Sequence, residues 1–278
     1  MSDQLRGKIA IGMIWAAALF SLSVLILIIA YILIRGLPQV SLSFLLESPT
    51  DLGRSGGIFP AILGTLVLGL GALVIAVPLG IGSAIYLTEY TYPSRLTSII
   101  RFGTESLAGV PSIIFGLFGF IFFVSYLKMS WSILAGSLTL ALMILPTIIR
   151  TAEEAIRAVP QSYREVSFGM GATRWQMVTT VVLPTALPGI LTGIILAFGR
   201  AVGETAAVIF TAGTALNIPI SVFSPVRTMA VHFYILAVEG ISLEKAYATG
   251  AVLIITVLLI NIGANMLITR AVVRTGRK

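Results

Sequence analysis

One arginine set inside an apolar run carries the clearest chemistry in this sequence. Arg200 and Glu204 interrupt the stretch Pro184–Ala212, which is otherwise almost free of charge. If a helix enters hydrocarbon between Pro184 and Pro188, its rise of 1.5 Å per residue places Arg200 about 18–24 Å deep. That is beyond the middle of an apolar core about 30 Å thick. An unpaired arginine near a bilayer centre costs from ~2.5 to ~17 kcal/mol, so the group needs a partner or a wet route. Two chemistries fit. On one continuous helix, residues four apart share a face, and Arg200 and Glu204 can then pair as a structural staple. Alternatively Arg200 lines an anion route with Glu204 holding it in place, because a guanidinium fork donates two parallel hydrogen bonds to an oxyanion. Thr205 offers a hydroxyl to the same surroundings. Gly189, Gly193, Ala197 and Ala201 form a ridge of small residues that lets helices approach closely, so Arg200 beside it is expected to face protein.

A second constellation lies in the polar segment 151–183. Pro160 is expected to end a helix arriving from Arg150. The run Gln161–Met170 reads as a short helix capped by Ser162 with Glu165 three residues on. Gly169 and Gly171 bracket a turn, and the segment Thr173-Arg174-Trp175-Gln176-Met177-Val178 starts a second short helix with Thr173 as its cap. Two helices meeting at a glycine make a compact knob that exposes Phe168, Met170, Trp175 and Met177 among charges. Such a knob either lies on the bilayer surface as an ordinary amphipathic loop or seats its anchors in a partner's groove.

Both constellations need a membrane bundle to position them. Of 278 residues, 57% are hydrophobic and 10% charged, whereas a soluble domain carries about 25% charged residues. Apolar runs long enough to span occur near Ile9–Ile34, Pro60–Leu87, Val110–Leu127, Trp131–Ile149, Pro184–Ala212 and Tyr247–Thr269, which predicts an all-α chain of about six transmembrane helices. The first is too long for a signal-peptide core and reads as a retained helix. The third and fourth, parted only by Lys128, Met129 and Ser130, are expected to form a tight hairpin. Gly36–Phe59 reads as an ordered outer loop, and Met229–Val238 as a short interfacial or re-entrant helix.

Orientation follows from the basic residues. With the N-terminus inside, Arg6, Lys8, Arg95, Arg101, Arg150, Arg157, Arg164, Arg174, Arg270, Arg274, Arg277 and Lys278 face the cytosol, against Arg35, Arg54, Lys128, Arg227 and Lys245 outside. Both termini are therefore expected to be cytosolic. The net charge of +7 is read as this topology signal and not as nucleic-acid binding. With no cysteine and a single histidine, neither cysteine-based nor multi-histidine metal sites are expected. The sequence has no Gly-rich phosphate loop ending in Gly-Lys-Ser/Thr and no Ser-His-Asp set, so the chain is not expected to be an enzyme.

The knob also carries a resemblance. Glu165-Val166-Ser167, then Gly171, Val181 and Leu183-Pro184 resembles the EAA loop of ABC-importer permeases, with Val166 and Ser167 standing where the family pattern has alanines. Leu107-Ala108-Gly109-Val110-Pro111-Ser112-Ile113-Ile114-Phe115-Gly116-Leu117-Phe118-Gly119 is similar to the third-span signature of phosphate-transport permeases. Gly199-Arg200-Ala201-Val202-Gly203-Glu204-Thr205-Ala206-Ala207 is similar to that of the fifth span. Pro225-Val226-Arg227-Thr228-Met229 resembles the A-type (PstA) branch. The similarity runs from about Ile9 to Thr269.

The resemblance implies a type I ABC importer permease (MetI-like) fold, with residues 1–278 as a single membrane domain and 151–183 as its cytosolic coupling loop. It implies that Arg164, Glu165, Phe168, Gly171, Ala172 and Trp175 serve coupling to an ATPase, and that Arg200, Glu204 and Thr205 lie on the substrate pathway. The implied partners are a second homologous permease chain (PstC-like), a dimeric cytosolic ATPase (PstB-like) that binds ATP and Mg, and an extracytoplasmic binding protein (PstS-like). The cargo would be inorganic phosphate, the place the cell's inner membrane, and no cofactor is expected on this chain. Three other readings stay open: the same fold serving sulfate or another oxyanion, a secondary transporter or channel that runs without ATP, and a membrane scaffold.

Overall fold

The computed structural model describes residues 3–92 and 94–275. Arg277 and Lys278 lie outside the described residues, as do the side chains of Arg6, Lys8, Arg270 and Arg274. The chain is almost wholly helical. It runs α1 (Asp3–Gly36), α2 (Leu42–Leu46), α3 (Phe59–Ile85), α4 (Arg95–Ala108), α5 (Ser112–Gly119), α6 (Ile133–Arg157), α7 (Gln161–Gly169), α8 (Arg174–Met177), α9 (Leu183–Val202), α10 (Ala206–Thr211), α11 (Met229–Val238) and α12 (Leu243–Thr275). Wider π-helical turns extend α3 through Tyr86–Tyr90, extend α5 through Phe120–Tyr126 and link α8 to α9 through Val178–Val182. The only strands among the described residues are β1 (Pro49–Thr50) and β2 (Ser55–Gly56), an antiparallel pair in the loop before α3.

Among the described residues, five helical stretches are long and apolar enough to cross a membrane: Ile11–Gln39, Phe59–Tyr90, Ile133–Arg157, Arg174–Val202 and Leu243–Met266. A sixth is reached if α4 and α5, bent by 99° at Gly109-Val110-Pro111, count as one broken span. The third expected run, Val110–Leu127, is present as Ser112–Tyr126, and the helix before the bend, α4, is an element the sequence reading leaves in the loop. Ser112–Tyr126 rises only about 22 Å at 1.5 Å per residue, and α4 turns away from it as a separate amphipathic helix. Ser94 caps α4, its hydroxyl accepting from Thr97 N at 3.2 Å. Leu96, Ile99 and Phe102 point outward, while Arg101 bonds Leu87 O at 3.0 Å and pairs with Glu153 of α6 at 2.8 Å. Apolar on one side and tethered by charge on the other, α4 has the pattern of a helix lying in the membrane interface.

Around α3 and α6 the core is packed from small and branched residues. Leu68, Ala72 and Ala76 of α3 meet Leu140, Met143, Ile144 and Ile148 of α6, together with Ala197 and Ala201 of α9. The proposed small-residue ridge is present: a Cβ on Gly189 would stand 2.7 Å from that of Ala155, and Gly193 abuts Thr151. Gly116 serves α10 in the same way, since a Cβ there would come within 2.9 Å of Ala207 Cα. The expected tight hairpin before α6 is made by Lys128 and Ser130, both at φ 55°. Beyond it, the first amides of α6 are satisfied by loop carbonyls, Ile133 N donating to Ser224 O and Leu134 N to Val222 O, which deals with donors that a helix start leaves over.

At the same end of the bundle as the β1–β2 loop, α11 spans the residues expected of it and is shorter than a membrane span. His232 on α11 is buried, its Nδ1 3.3 Å from Arg227 Nη1. Burial, and then the neighbouring guanidinium, lower its pKa from 6.5 to about 4. The folded value lies below the unfolded one, so between pH 6.5 and 4 the unfolded chain binds the proton and the folded chain does not. Stability is therefore present above that window and lost as pH falls through it. The Tm of the detergent-purified protein should drop on acidification from pH 6.5 to 4, and His232→Gln should flatten that slope. An unchanged slope in the variant would remove His232 from the account.

Candidate functional site

The stretch that carries Arg200 is not one helix. α9 stops at Val202, Gly203 is its C-cap, and α10 begins only at Ala206. Glu204 and Thr205 form the break, with Thr205 at φ −118° and ψ −57°. The pairing expected from a four-residue spacing is therefore corrected: Arg200 makes no ion pair or hydrogen bond with Glu204. Instead Glu204 turns forward, its Oε1 accepting from Ala207 N at 3.2 Å. The carboxylate replaces a lost backbone acceptor at the first turn of α10, where an acid is also favoured by the helix dipole.

Arg200 occupies the last turn of α9, where the free carbonyl end favours a cation. It is exposed and stands in register with Thr192 and Leu196, which are exposed as well. The opposite side of α9, with Ile190, Gly193, Ala197 and Ala201, is buried against α6 and α3. The expectation that Arg200 faces protein is thus not met within this chain. Its guanidinium lies on an uncovered face beside a helix break, with Glu204 and Thr205 half-buried next to it. Broken backbone at membrane depth is tolerated where it is buried in protein or lines a wet cavity. A guanidinium with all its donors free at such a break can bind an oxyanion in bidentate fashion.

The knob forms as α7 and α8. Pro160 starts α7 without a side-chain cap, which replaces the expected Ser162 cap. Thr173 does cap α8, and Gln176 completes a reciprocal capping box. Gly171 sits at φ +81°, in the left-handed region that glycine adopts without strain. Phe168, Met170 and Trp175 are exposed as expected, and so is Glu165. Ala172 is half-buried in the turn. Met177 is fully buried, against Val178, Val182 and Ile156, because α8 runs on into the span and its far end belongs to the core.

Arg164 also departs from an outward-facing role. It is buried and reaches inward to Glu89, Nη2 to Oε1 at 2.8 Å, in the π-helical end of α3. Glu89 was not singled out by sequence reasoning. Its only local signal is that it is the one acid in the apolar stretch from Phe59 to Tyr90, in Tyr86-Leu87-Thr88-Glu89-Tyr90. Its partner lies 75 residues away, beyond the reach of any spacing rule.

Comparison with known proteins places these features. Residues 76–275 match the family described as binding-protein-dependent transport system inner membrane component. The chain is 35% identical over 283 positions to the probable ABC transporter permease protein YqgI of Bacillus subtilis (strain 168), covering 96% of both. It is 35% identical to the phosphate transport system permease protein PstA of Yersinia pestis, covering 95% of this chain and 90% of that one. Among solved structures, it superposes with TM-score 0.69 and 18% identity on a bacterial alginate ABC transporter in complex with an alginate pentasaccharide-bound periplasmic protein, covering 96% of each chain. A similar likeness, TM-score 0.61 at 23% identity, links it to the inward-facing MetNI methionine ABC transporter. Identities this low speak to the fold alone.

Proposed function

Because the chain belongs to the family of binding-protein-dependent transport system inner membrane components, we propose that it is one membrane half of an ATP-driven importer of inorganic phosphate. The observation that carries this reading is the uncovered guanidinium of Arg200 at the α9–α10 break, set in a chain whose relatives include several phosphate permeases. A second homologous permease chain covers the Arg200 face, and the translocation route runs along that seam past Glu204 and Thr205. An extracytoplasmic binding protein delivers phosphate to the outer end. Residues 1–278 act as one membrane domain with both termini in the cytosol.

ATP and Mg are held by a separate dimeric ATPase. It docks on the loop 151–183, where Glu165, Phe168, Gly171, Ala172 and Trp175 form or shape the contact, and Arg164 acts from within. The exposed apolar side chains Phe168, Met170 and Trp175 on short capped helices support this docking, since a partner's groove is the setting that buries them.

Sulfate or another oxyanion is the competing cargo, because a guanidinium fork fits any tetrahedral anion, and the YqgI relative is named only as a probable permease. Uptake of labelled phosphate into liposomes holding the assembled complex decides the matter. Uptake should require ATP and the binding protein, and should be blocked by unlabelled phosphate but not by equal sulfate. Equal competition by sulfate would reassign the cargo. Transport by this chain alone without ATP would replace the reading with a secondary transporter.

A further inference from the structure

We propose that the Arg164–Glu89 pair is the rigid link through which movement of the docked knob is passed to α3 and α6. Arg164 joins three elements at once. Its Nε and Nη2 donate to Glu89 Oε1 at 3.2 and 2.8 Å, on the inner end of α3. Its Nη1 donates to Val159 O at 2.6 Å and its Nη2 to Ile156 O at 2.9 Å, at the carbonyl end of α6. The side chains of Arg164 and Glu89 are only 10% and 7% exposed. A charge pair so enclosed, with two further guanidinium donors bonded to main-chain oxygens, resists separation because either partner left alone would be a buried, uncompensated charge.

The rest of α7 is weakly anchored. Only Arg164 and Ser167 of that helix are buried. Beside the pair opens a groove of about 580 Å³, lined by Glu89, Tyr92, Gln161, Arg164 and Phe168 among others, so the join between α7 and α3 is polar rather than packed. Arg174, at the start of α8, reinforces it: its Nη1 donates to Glu89 O at 2.7 Å, and its guanidinium lies 5.8 Å from the Tyr90 ring centre. α3 and α6 are the two helices at the centre of the core, with Ala201 of α9 packed against them close to Arg200. A push on the knob therefore reaches α9 along the unbroken run from α8, and reaches α3 and α6 through the Arg164 guanidinium with Arg174 beside it; coupling travels along such contiguous rigid parts.

The assignment rests on the reading that an ATPase docks on α7 and α8, and the experiment separates the two. In the reconstituted complex, Glu89→Gln keeps the side chain's size and removes the charge. ATPase binding should persist, while phosphate moved per ATP hydrolysed falls roughly tenfold, because Arg164 loses its counter-ion and the link loosens. An unchanged ratio overturns the link, and so does loss of ATPase binding, which would make the pair part of the docking face. Trp175→Ala tests docking alone: if it leaves ATPase binding intact, the docking reading fails whatever Glu89→Gln does. A measurement on the unaltered pair completes the test. The chain has no cysteine, so spin labels can be placed at Tyr92→Cys and Tyr163→Cys, both exposed sites on either side of the link. Their separation should be the same with and without ATP. A shift of about one helical turn, ~5 Å, would show that α7 slides past α3 and would overturn the proposal.

Discussion

Arg200→Gln is expected to lower phosphate uptake by the assembled complex by about 100-fold or more. Glutamine keeps much of the length of the side chain but loses the charge and the fork, and with them two charge-assisted hydrogen bonds to a dianion. The same substitution should leave this chain's fold almost untouched. Arg200 is exposed and has no partner within the chain, and substitutions at such positions usually change stability by no more than about 0.5 kcal/mol. Uptake and Tm thus move independently, which marks a pathway role off from a structural one. Arg200→Lys should fall between, since an ammonium keeps the charge and lacks the planar pair of donors. Undiminished uptake in Arg200→Gln, with the complex present in normal amount, would remove Arg200 from the route.

Gly171→Pro should abolish capture of the ATPase subunit. At φ +81° the residue holds the turn between α7 and α8, and proline is confined near φ −65°. The substitution also deletes the amide that donates to Phe168 O at 2.9 Å, the bond that closes the end of α7. Open space surrounds the position, with nothing within 4 Å of an added Cβ, so the damage comes from the backbone and not from a clash. The result is a changed angle between Phe168 and Trp175, the two anchors on opposite sides of the turn. Gly171→Ala is the graded companion, since an alanine in the left-handed region costs about 1–2 kcal/mol. Co-purification of the ATPase with each variant, from membranes holding equal amounts of this chain, checks both. Full recovery with the proline variant would show that the turn does not set the docking surface.

Most of the bundle is legible in the sequence because lipid imposes one rule, a long apolar run, on every span. α1 and α12 contain the expected apolar runs, α3 does so together with its π-helical extension, α6 starts two residues inside its run, and α11 has the residues predicted for it. The misses share a cause. α4 is shorter than a span and its apolar residues fall on one face, so hydropathy merges it with the loop, and the 99° bend at Pro111 leaves no trace in composition. The α9–α10 break was signalled by Gly203 followed by Thr205, residues that end or cap helices. A continuous apolar background nonetheless made one unbroken helix the simpler pattern, and the Arg200–Glu204 pair was inferred from that pattern.

The knob shows the same division. Its caps at Thr173 and its turn at Gly171 are local, and the sequence states them. The inward course of Arg164 depends on an acid brought near by the folding of α3 against α6, and a lone charged residue on a short helix does not reveal which way it points. Met177 was read as exposed for a related reason: α8 continues without interruption toward α9, so its last turn already belongs to the membrane core.

The uncovered face of α9 also bears on how the subunit is made. Arg200 has no counter-ion within the chain, and at the depth expected from the sequence hydrocarbon would penalise it by a few kcal/mol in a lone copy. The penalty disappears only when another chain or a watered seam meets that side. On the proposed assembly with a second permease chain, an orphan copy would be open to membrane quality control, and matched synthesis of the two chains would let the subunit persist.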